Sequence, residues 1–223
     1  MEKTVWGELD PALGEQIFPR RVPTQRRSRE RFERMLSVAE SLIAEHGIDG
    51  VRMSEIAGQA GVSIGSLYQY FPDKAAIVGT LGERYEAEGR TCVQAELAPV
   101  RTDAEFVTAL HRIVDGYYEM FLAQPAMRDI WMATQGDRTL QELDAACCAL
   151  LADMVFTTLI VIRPKDDRAR LRTLSSLIIQ LIAAAVRHAI SLERSQGDAA
   201  VEMFKRATLA NVLDALNVER AAP

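Results

Sequence analysis

Phe32, Leu36, Ala39 and Ile43 recur at intervals of four, three and four residues, and Gly47 follows them. That spacing lays one apolar stripe along a helix from about Ser28 to His46, and a glycine just past the last turn stops it. Two shorter patterns come next. Ser54 to Ala60 predicts a short helix with Ile56 and Ala57 inward, Gly61 permits a tight turn, and Ser63 sits where an N-cap accepts a backbone N–H of the following helix. The order is helix, turn, helix. Helical periodicity covers almost all of the remaining chain, so the expected fold class is all-α.

The second short helix lies in GVSIGSLYQYFPDK, residues 61–74. It opens with the small residues Ser63, Gly65 and Ser66, so its N-terminal end can approach a surface closely, and free N–H groups there favour phosphate. Leu67 and Phe71, four apart, would hold it to the preceding helices. Tyr68, Gln69 and Tyr70 are then left with outward hydroxyl and amide groups, suited to phosphates and to base edges in a major groove. The two tyrosines also fit the edge of an amphipathic core. An exposed Ile64 would contact a thymine methyl or pack against the first helix, and Lys74 beside Asp73 reads as a phosphate contact or as a plain helix start.

Charge supports the same end of the chain. Residues 1–19 carry one basic and four acidic residues, 20–74 nine and seven, and 75–223 sixteen and twenty, so the formal charge of −5 divides as −3, +2 and −4. The basic excess is densest in RRVPTQRRSRERFER, with seven arginines against two glutamates. Clustered arginine of this kind binds phosphate; it equally forms a solvated helix face in which Glu30 and Glu33 pair with their neighbours. Pro19 and Pro23 mark a linker, after which Arg26 and Arg27 are placed to form an arm into a minor groove. Trp6, Leu9, Leu13 and Ile17 carry helical spacing, with Pro11 in or breaking the first turn; a disordered tail is the alternative for residues 1–27.

Other classes find little support. Cys92, Cys147 and Cys148 show no CxxC spacing or nearby histidine cluster, which argues against a disulfide framework or a zinc site. No phosphate loop, HExxH or GxSxG occurs, and His46, His111 and His188 are isolated. No catalytic residue, metal ligand or cofactor is therefore expected. The opening MEKTVWGELD lacks the regions of a signal peptide, and the longest apolar run, Leu177 to Val186, contains Gln180 and is too short to span a bilayer. A soluble, cytoplasmic protein without a membrane partner is expected.

Ile56-Ala57, Ala60-Gly61-Val62-Ser63, Gly65-Ser66-Leu67-Tyr68, Tyr70-Phe71 and Lys74 together resemble the TetR (tetracycline-repressor) family of bacterial transcriptional regulators over residues 28–75. The resemblance implies backbone contacts to double-stranded DNA from Ser63, Ser66, Tyr68, Tyr70 and Lys74, and base contacts from some of Ile64, Gly65 and Gln69. It also implies a helical C-terminal domain that binds a small molecule and dimerises. Arg52 departs from the pattern: many members have Thr or Ser to cap the second helix, whereas arginine accepts no N–H but reaches a phosphate. The expected organisation is an extension or arm over 1–27, a three-helix helix-turn-helix domain over 28–75 and an effector-binding and dimerisation domain over 76–223.

In that last domain, helices are expected from Asp73 to about Leu97, along Phe106 to Phe121, after Pro125, from about Thr139 to Ile162, from Asp166 to about Gln196 as the longest, and from Asp198 to Asn217. Leu171, Leu174, Ile178, Leu181, Ala185, His188 and Leu192 form one apolar strip of the long helix, and Leu177, Ile182 and Val186 a second. Two strips need two partners, one inside the domain and one in a second subunit, giving a homodimer able to read a palindromic operator. Aromatic and methionine side chains cluster around Tyr117, Phe121, Trp131 and Met154, which are the candidate wall of a hydrophobic effector pocket, with Arg128 or His188 as a polar anchor. The function expected is a repressor released by a small hydrophobic ligand; a helical enzyme and a ligand-independent interaction protein are the alternatives.

Overall fold

The computed structural model describes residues 25–216. Among them are nine α-helices: α1 (Arg26–Gly50), α2 (Met53–Gln59), α3 (Ile64–Tyr70), α4 (Lys74–Leu97), α5 (Asp103–Ala123), α6 (Pro125–Gly136), α7 (Arg138–Ile162), α8 (Arg168–Ile190) and α9 (Arg194–Ala207). Two 3₁₀ turns follow, Leu209–Asn211 and Asp214–Leu216. The all-α expectation holds, and the helical spacing of Trp6, Leu9, Leu13 and Ile17 lies outside the described residues. The chain divides into two compact units, one ending at Ala87 and taking in Gln124–Ala146, the other made of Glu88–Ala123 and the chain from Cys147 on. This division by packing falls inside α4.

In the first unit α1 is interrupted at Gly47, whose φ of 68° is open to glycine at little cost. The α2–α3 turn is a Schellman arrangement: Val62 N–H donates to Ala57 O at 3.0 Å, Gly61 N–H donates to Gly58 O at 3.2 Å, and Gly61 takes φ 65°. Met35, Leu36, Leu42 and Ile43 of α1, Ile56 and Ala57 of α2, Leu67 and Phe71, and Ala76, Ile77, Val78 and Leu81 of α4 are buried. Phe32 stacks on Phe71 with ring centroids 5.1 Å apart and meets Tyr70 edge-on at 5.8 Å. Arg84 and Tyr85 of α4 bind Glu33 and Glu40 of α1, the latter at 2.6 Å.

The second unit is a bundle of longer helices. Thr102 and Glu105 form a reciprocal cap at the start of α5, with Glu105 N–H donating to Thr102 Oγ1 at 3.3 Å and Thr102 N–H to Glu105 Oε2 at 3.0 Å. These bonds, led by the one from Arg101 N–H, hold the Glu105 carboxyl below its ordinary pKa. Arg163 grips Asp103 with two guanidinium nitrogens, Nε at 2.8 Å. Burial disfavours the Lys205 ammonium, but Asp115 at 2.7 Å and Glu202 outweigh it and hold its pKa above that of an ordinary lysine.

Three expectations for this region are corrected. The helix expected to run from Asp166 to Gln196 ends at Ile190, so α4, at 24 residues, and α7, at 25, are longer. Ser191 Oγ donates back to His188 O at 2.7 Å, and α9 then crosses so close that a Cβ at Gly197 would lie 2.6 Å from Ala189 O. The final helix stops at Ala207, not Asn217, and the chain continues as 3₁₀ turns. The two strips of α8 also exchange members: Leu171, Leu174, Ile178, Ile182 and Val186 form the buried line, whereas Leu181 and Ala185 are half-buried and His188 is exposed. A strict 3-4 repeat drifts by about 20° per heptad against the true helical period, so residues in register at the start of the helix rotate off the buried face by its end. By length and composition Leu140–Ile162 and Arg168–Ile190 are apolar enough to cross a membrane, although half of the best window in α8 is buried in the fold. The single-run criterion applied to Leu177–Val186 misses this, because isolated polar residues break a run without lowering its average much.

Candidate nucleic-acid interface

A seven-residue helix is too short to be stable alone and must be held at both ends and along one face. Ser63 is the N-cap of α3 and its Oγ accepts the Ser66 N–H at 3.1 Å. Leu67 and Phe71 are fully enclosed. The opposite face is open: Ile64 and Tyr68 are 42% and 44% exposed, and Ser63, Gly65 and Gln69 are exposed with them, while Ser66 is half-buried. Large apolar and aromatic groups left in water on a well-anchored helix mark an interaction surface.

Gly65 adds an independent sign. A Cβ built there would meet nothing within 4 Å, and the residue lies inside a regular helix, so neither internal crowding nor backbone strain requires glycine. Arg52 occupies the N-cap of α2 with no side-chain cap bond, and its side chain is exposed. Arg27 is exposed in the first turn of α1.

Two of the sequence-derived residues sit otherwise than expected. The outward hydroxyl foreseen for Tyr70 is corrected: the residue is 7% exposed, and its Oη is 2.6 Å from Ser28 Oγ of α1. It stands three residues after Leu67 and therefore shares the inward face. Lys74 is half-buried, and its ammonium donates to Ile48 O at 2.6 Å and Val51 O at 3.3 Å, the carbonyls of the turn between α1 and α2. Ser28, which the sequence reading did not single out, is the hydroxyl that secures Tyr70. Nothing local marks it, since its partner is 42 residues away.

The candidate effector residues divide between the units. Within the second, Tyr117 is half-buried and meets the buried Phe121 edge-on at 5.1 Å, Met154 is half-buried, and His188 is exposed in the last turn of α8. Met154 lines a depression of about 510 Å³ between the end of α4 and α7, with Leu97, Leu150 and Val161 around it. In the first unit, α6 carries Arg128, exposed, and Trp131, half-buried. Among the described residues no group of three or more His, Cys, Asp or Glu is placed to hold a metal ion.

Residues 35–81 match the family described as bacterial regulatory proteins, tetR family, and residues 104–215 match the tetracyclin repressor-like C-terminal domain. Among curated relatives, the chain is 29% identical over 100 residues to the uncharacterized HTH-type transcriptional regulator YvdT of Bacillus subtilis, covering 45% of this chain and 48% of that protein. It is 35% identical over 71 residues to the HTH-type transcriptional repressor KstR of Mycolicibacterium smegmatis, covering 31% of this chain and 35% of that one. The matched stretch therefore spans half or less of these relatives. Among solved structures, a TetR-family transcriptional regulator from Pectobacterium atrosepticum aligns with a TM-score of 0.65 at 22% identity over 87% of this chain and 97% of its own. The transcriptional regulator FadR of Bacillus subtilis, in complex with stearoyl-CoA, aligns at 0.60 and 18% over 81% and 97%. At these identities the likeness is one of fold.

Proposed function

Because the chain belongs to the tetR family of bacterial regulatory proteins, we propose that it is a cytoplasmic, homodimeric repressor whose α3 reads a palindromic DNA operator and which a small hydrophobic effector releases. The observation that carries this reading is the open face of α3: Ile64, Gly65, Tyr68 and Gln69 point to solvent on a helix pinned by Leu67 and Phe71. Isoleucine and glutamine there suit a thymine methyl and an adenine edge, and Tyr68, Ser63, Ser66, Arg52 and Arg27 suit phosphates. Tyr70 and Lys74 contribute by holding α3 and the α1–α2 turn. Dimerisation through α8 and α9 is supported by Leu177, 50% exposed, and Met203, 69% exposed. One recognition helix reads few base pairs, and a two-fold axis doubles the site.

For the effector, Tyr117, Phe121 and Met154 of the second unit supply apolar surface, with His188 as the polar anchor. Long-chain acyl thioesters are the first ligand class to try, given the stearoyl-CoA held by the FadR of similar fold. Effector and operator each weaken the other by the same factor. The test is selection of bound duplexes from random DNA by the purified protein. Two-fold symmetric sites with half-sites about 10 base pairs apart are expected, released on titration with the acyl thioester. Gln69→Ala then relaxes discrimination at particular positions by about 1–3 kcal/mol. Equal weakening on every sequence would remove Gln69 from the base-reading set.

A further inference from the structure

Arg27, Arg31 and Arg34 stand four and three residues apart on α1, so they share one stripe of helix surface about 10 Å long. All three are exposed. The acids around them are already engaged. Glu30, the one within a turn of Arg27 and Arg34 on their side, is held by Arg26 at 2.8 Å. Glu33 pairs with Arg84, and Glu40 accepts the Tyr85 hydroxyl. On the helical wheel Glu33 and Glu40 lie on one flank of the buried line Phe32, Met35 and Ala39, facing α4, and the three arginines lie on the other flank. Among the described residues none of the three has an ion-pair partner.

An ordinary solvated helix face interleaves its charges so that acids and bases answer one another. Here the first nine residues of α1 hold five arginines and two glutamates, and both glutamates are spent elsewhere. Arg26 is paired with Glu30 and Arg29 lies on the Glu33 flank; the other three are a surplus of one sign on the opposite flank. A row of guanidinium groups about 10 Å long spans about three steps of a DNA strand at 3.4 Å each, and guanidinium matches phosphate geometry better than ammonium does. The row is also tied to α3: Ser28 bonds Tyr70, and Phe32 rests on Tyr70 and Phe71. The basic turns of α1 and the recognition helix thus form one body.

We propose that Arg27, Arg31 and Arg34 form a second, sequence-independent contact line to the phosphate backbone of DNA, widening the footprint beyond the bases that α3 reads. The line rests on the reading of α3 as a DNA-reading helix. It is tested on a duplex selected by the wild-type protein, with affinity followed across a range of salt for the wild type, for Arg31→Gln with Arg34→Gln, and for Arg112→Gln with Lys165→Gln, both exposed in the second unit, as an equal-charge control. Glutamine keeps helix propensity close to that of arginine, and thermal melting by circular dichroism checks that the double variant folds as the wild type does. The double variant is expected to lower the slope of log affinity against log salt by about two units per subunit, about four for the dimer, while preserving the ranking of operator sequences, and Arg112→Gln with Lys165→Gln is expected to leave the slope unchanged. A wild-type slope in the double variant overturns the contact line alone, as does a lost ranking of sequences with the slope retained. Binding of the wild type to phosphatidylserine vesicles that the double variant loses, with DNA binding intact, assigns the stripe to membranes and overturns it too. A wild-type protein that selects no duplex overturns the reading of α3, and the contact line with it.

Discussion

Gly65 of α3 and Gly197 of α9 both lie inside helices, and their surroundings are opposite. A Cβ at Gly65 would meet nothing within 4 Å, whereas one at Gly197 would stand 2.5 Å from Tyr118 Oη and 2.6 Å from Ala189 O. Glycine costs a helix interior about 0.5–1 kcal/mol relative to alanine. In α9 the fold itself recovers that cost, because the missing side chain lets α9 cross hard against the end of α8. In α3 nothing inside the protein recovers it. The two regions differ in where their constraints come from: the second unit is shaped by its own packing, and the open face of α3 by something that comes to it.

Gly197→Ala therefore gives the largest effect. Backbone oxygen cannot move aside as a flexible side chain does, so the variant is expected to lose about 1–3 kcal/mol of stability in urea unfolding, with Tyr118 displaced. A variant as stable as wild type would show that α9 slides on α8 at no cost and would erase the contrast. Lys74→Met comes next. It removes charge-assisted bonds to Ile48 O and Val51 O, for an expected loss of about 1–2 kcal/mol, and leaves the salt slope of DNA binding at the wild-type value. A slope lower by about one unit per subunit, about two for the dimer, with stability intact would instead put the ammonium on a phosphate. Gly65→Ala is the smallest in stability and the most informative in function: the helix should gain up to about 1 kcal/mol while duplex affinity falls. Unchanged affinity would mean that no surface approaches α3 at that point.

Acid sensitivity is expected in the second unit. The Glu105 carboxyl is held below its ordinary pKa by the Arg101 and Thr102 N–H groups. A depressed folded pKa contributes stability above the unfolded value and loses it as pH falls through the folded one. Melting below about pH 4.5 should accordingly be flatter for Glu105→Gln than for wild type.

What was legible in the residues was local. Gly47, Gly61 and Ser63 set the ends of α1, α2 and α3 by backbone angle and capping within a few residues, and the structure has each of them doing so. Tyr68 and Tyr70 were separable in principle, since the helical period groups Tyr70 with Leu67. Treating Leu67 and Phe71 as the complete anchor hid it, because a two-turn helix has room for one more inward residue than that pair supplies. The break between α8 and α9 carried no comparable mark: Ser191 and Gly197 are both tolerated within a helix, and the apolar strip continues through them to the eye.

The sequence by itself determined the all-α class, the start and stop of α3, and that Ile64, Gly65, Tyr68 and Gln69 stand on its outward face, because caps, glycine angles and apolar periods act over three or four residues. Tertiary structure alone decided that the Lys74 ammonium closes a turn 26 residues earlier in the chain, that Tyr70 meets Ser28 across 42 residues, and that α9 folds back on Ala189. Such pairings depend on how whole helices cross, and crossing is settled by the summed shape of two faces, which no short window of sequence contains.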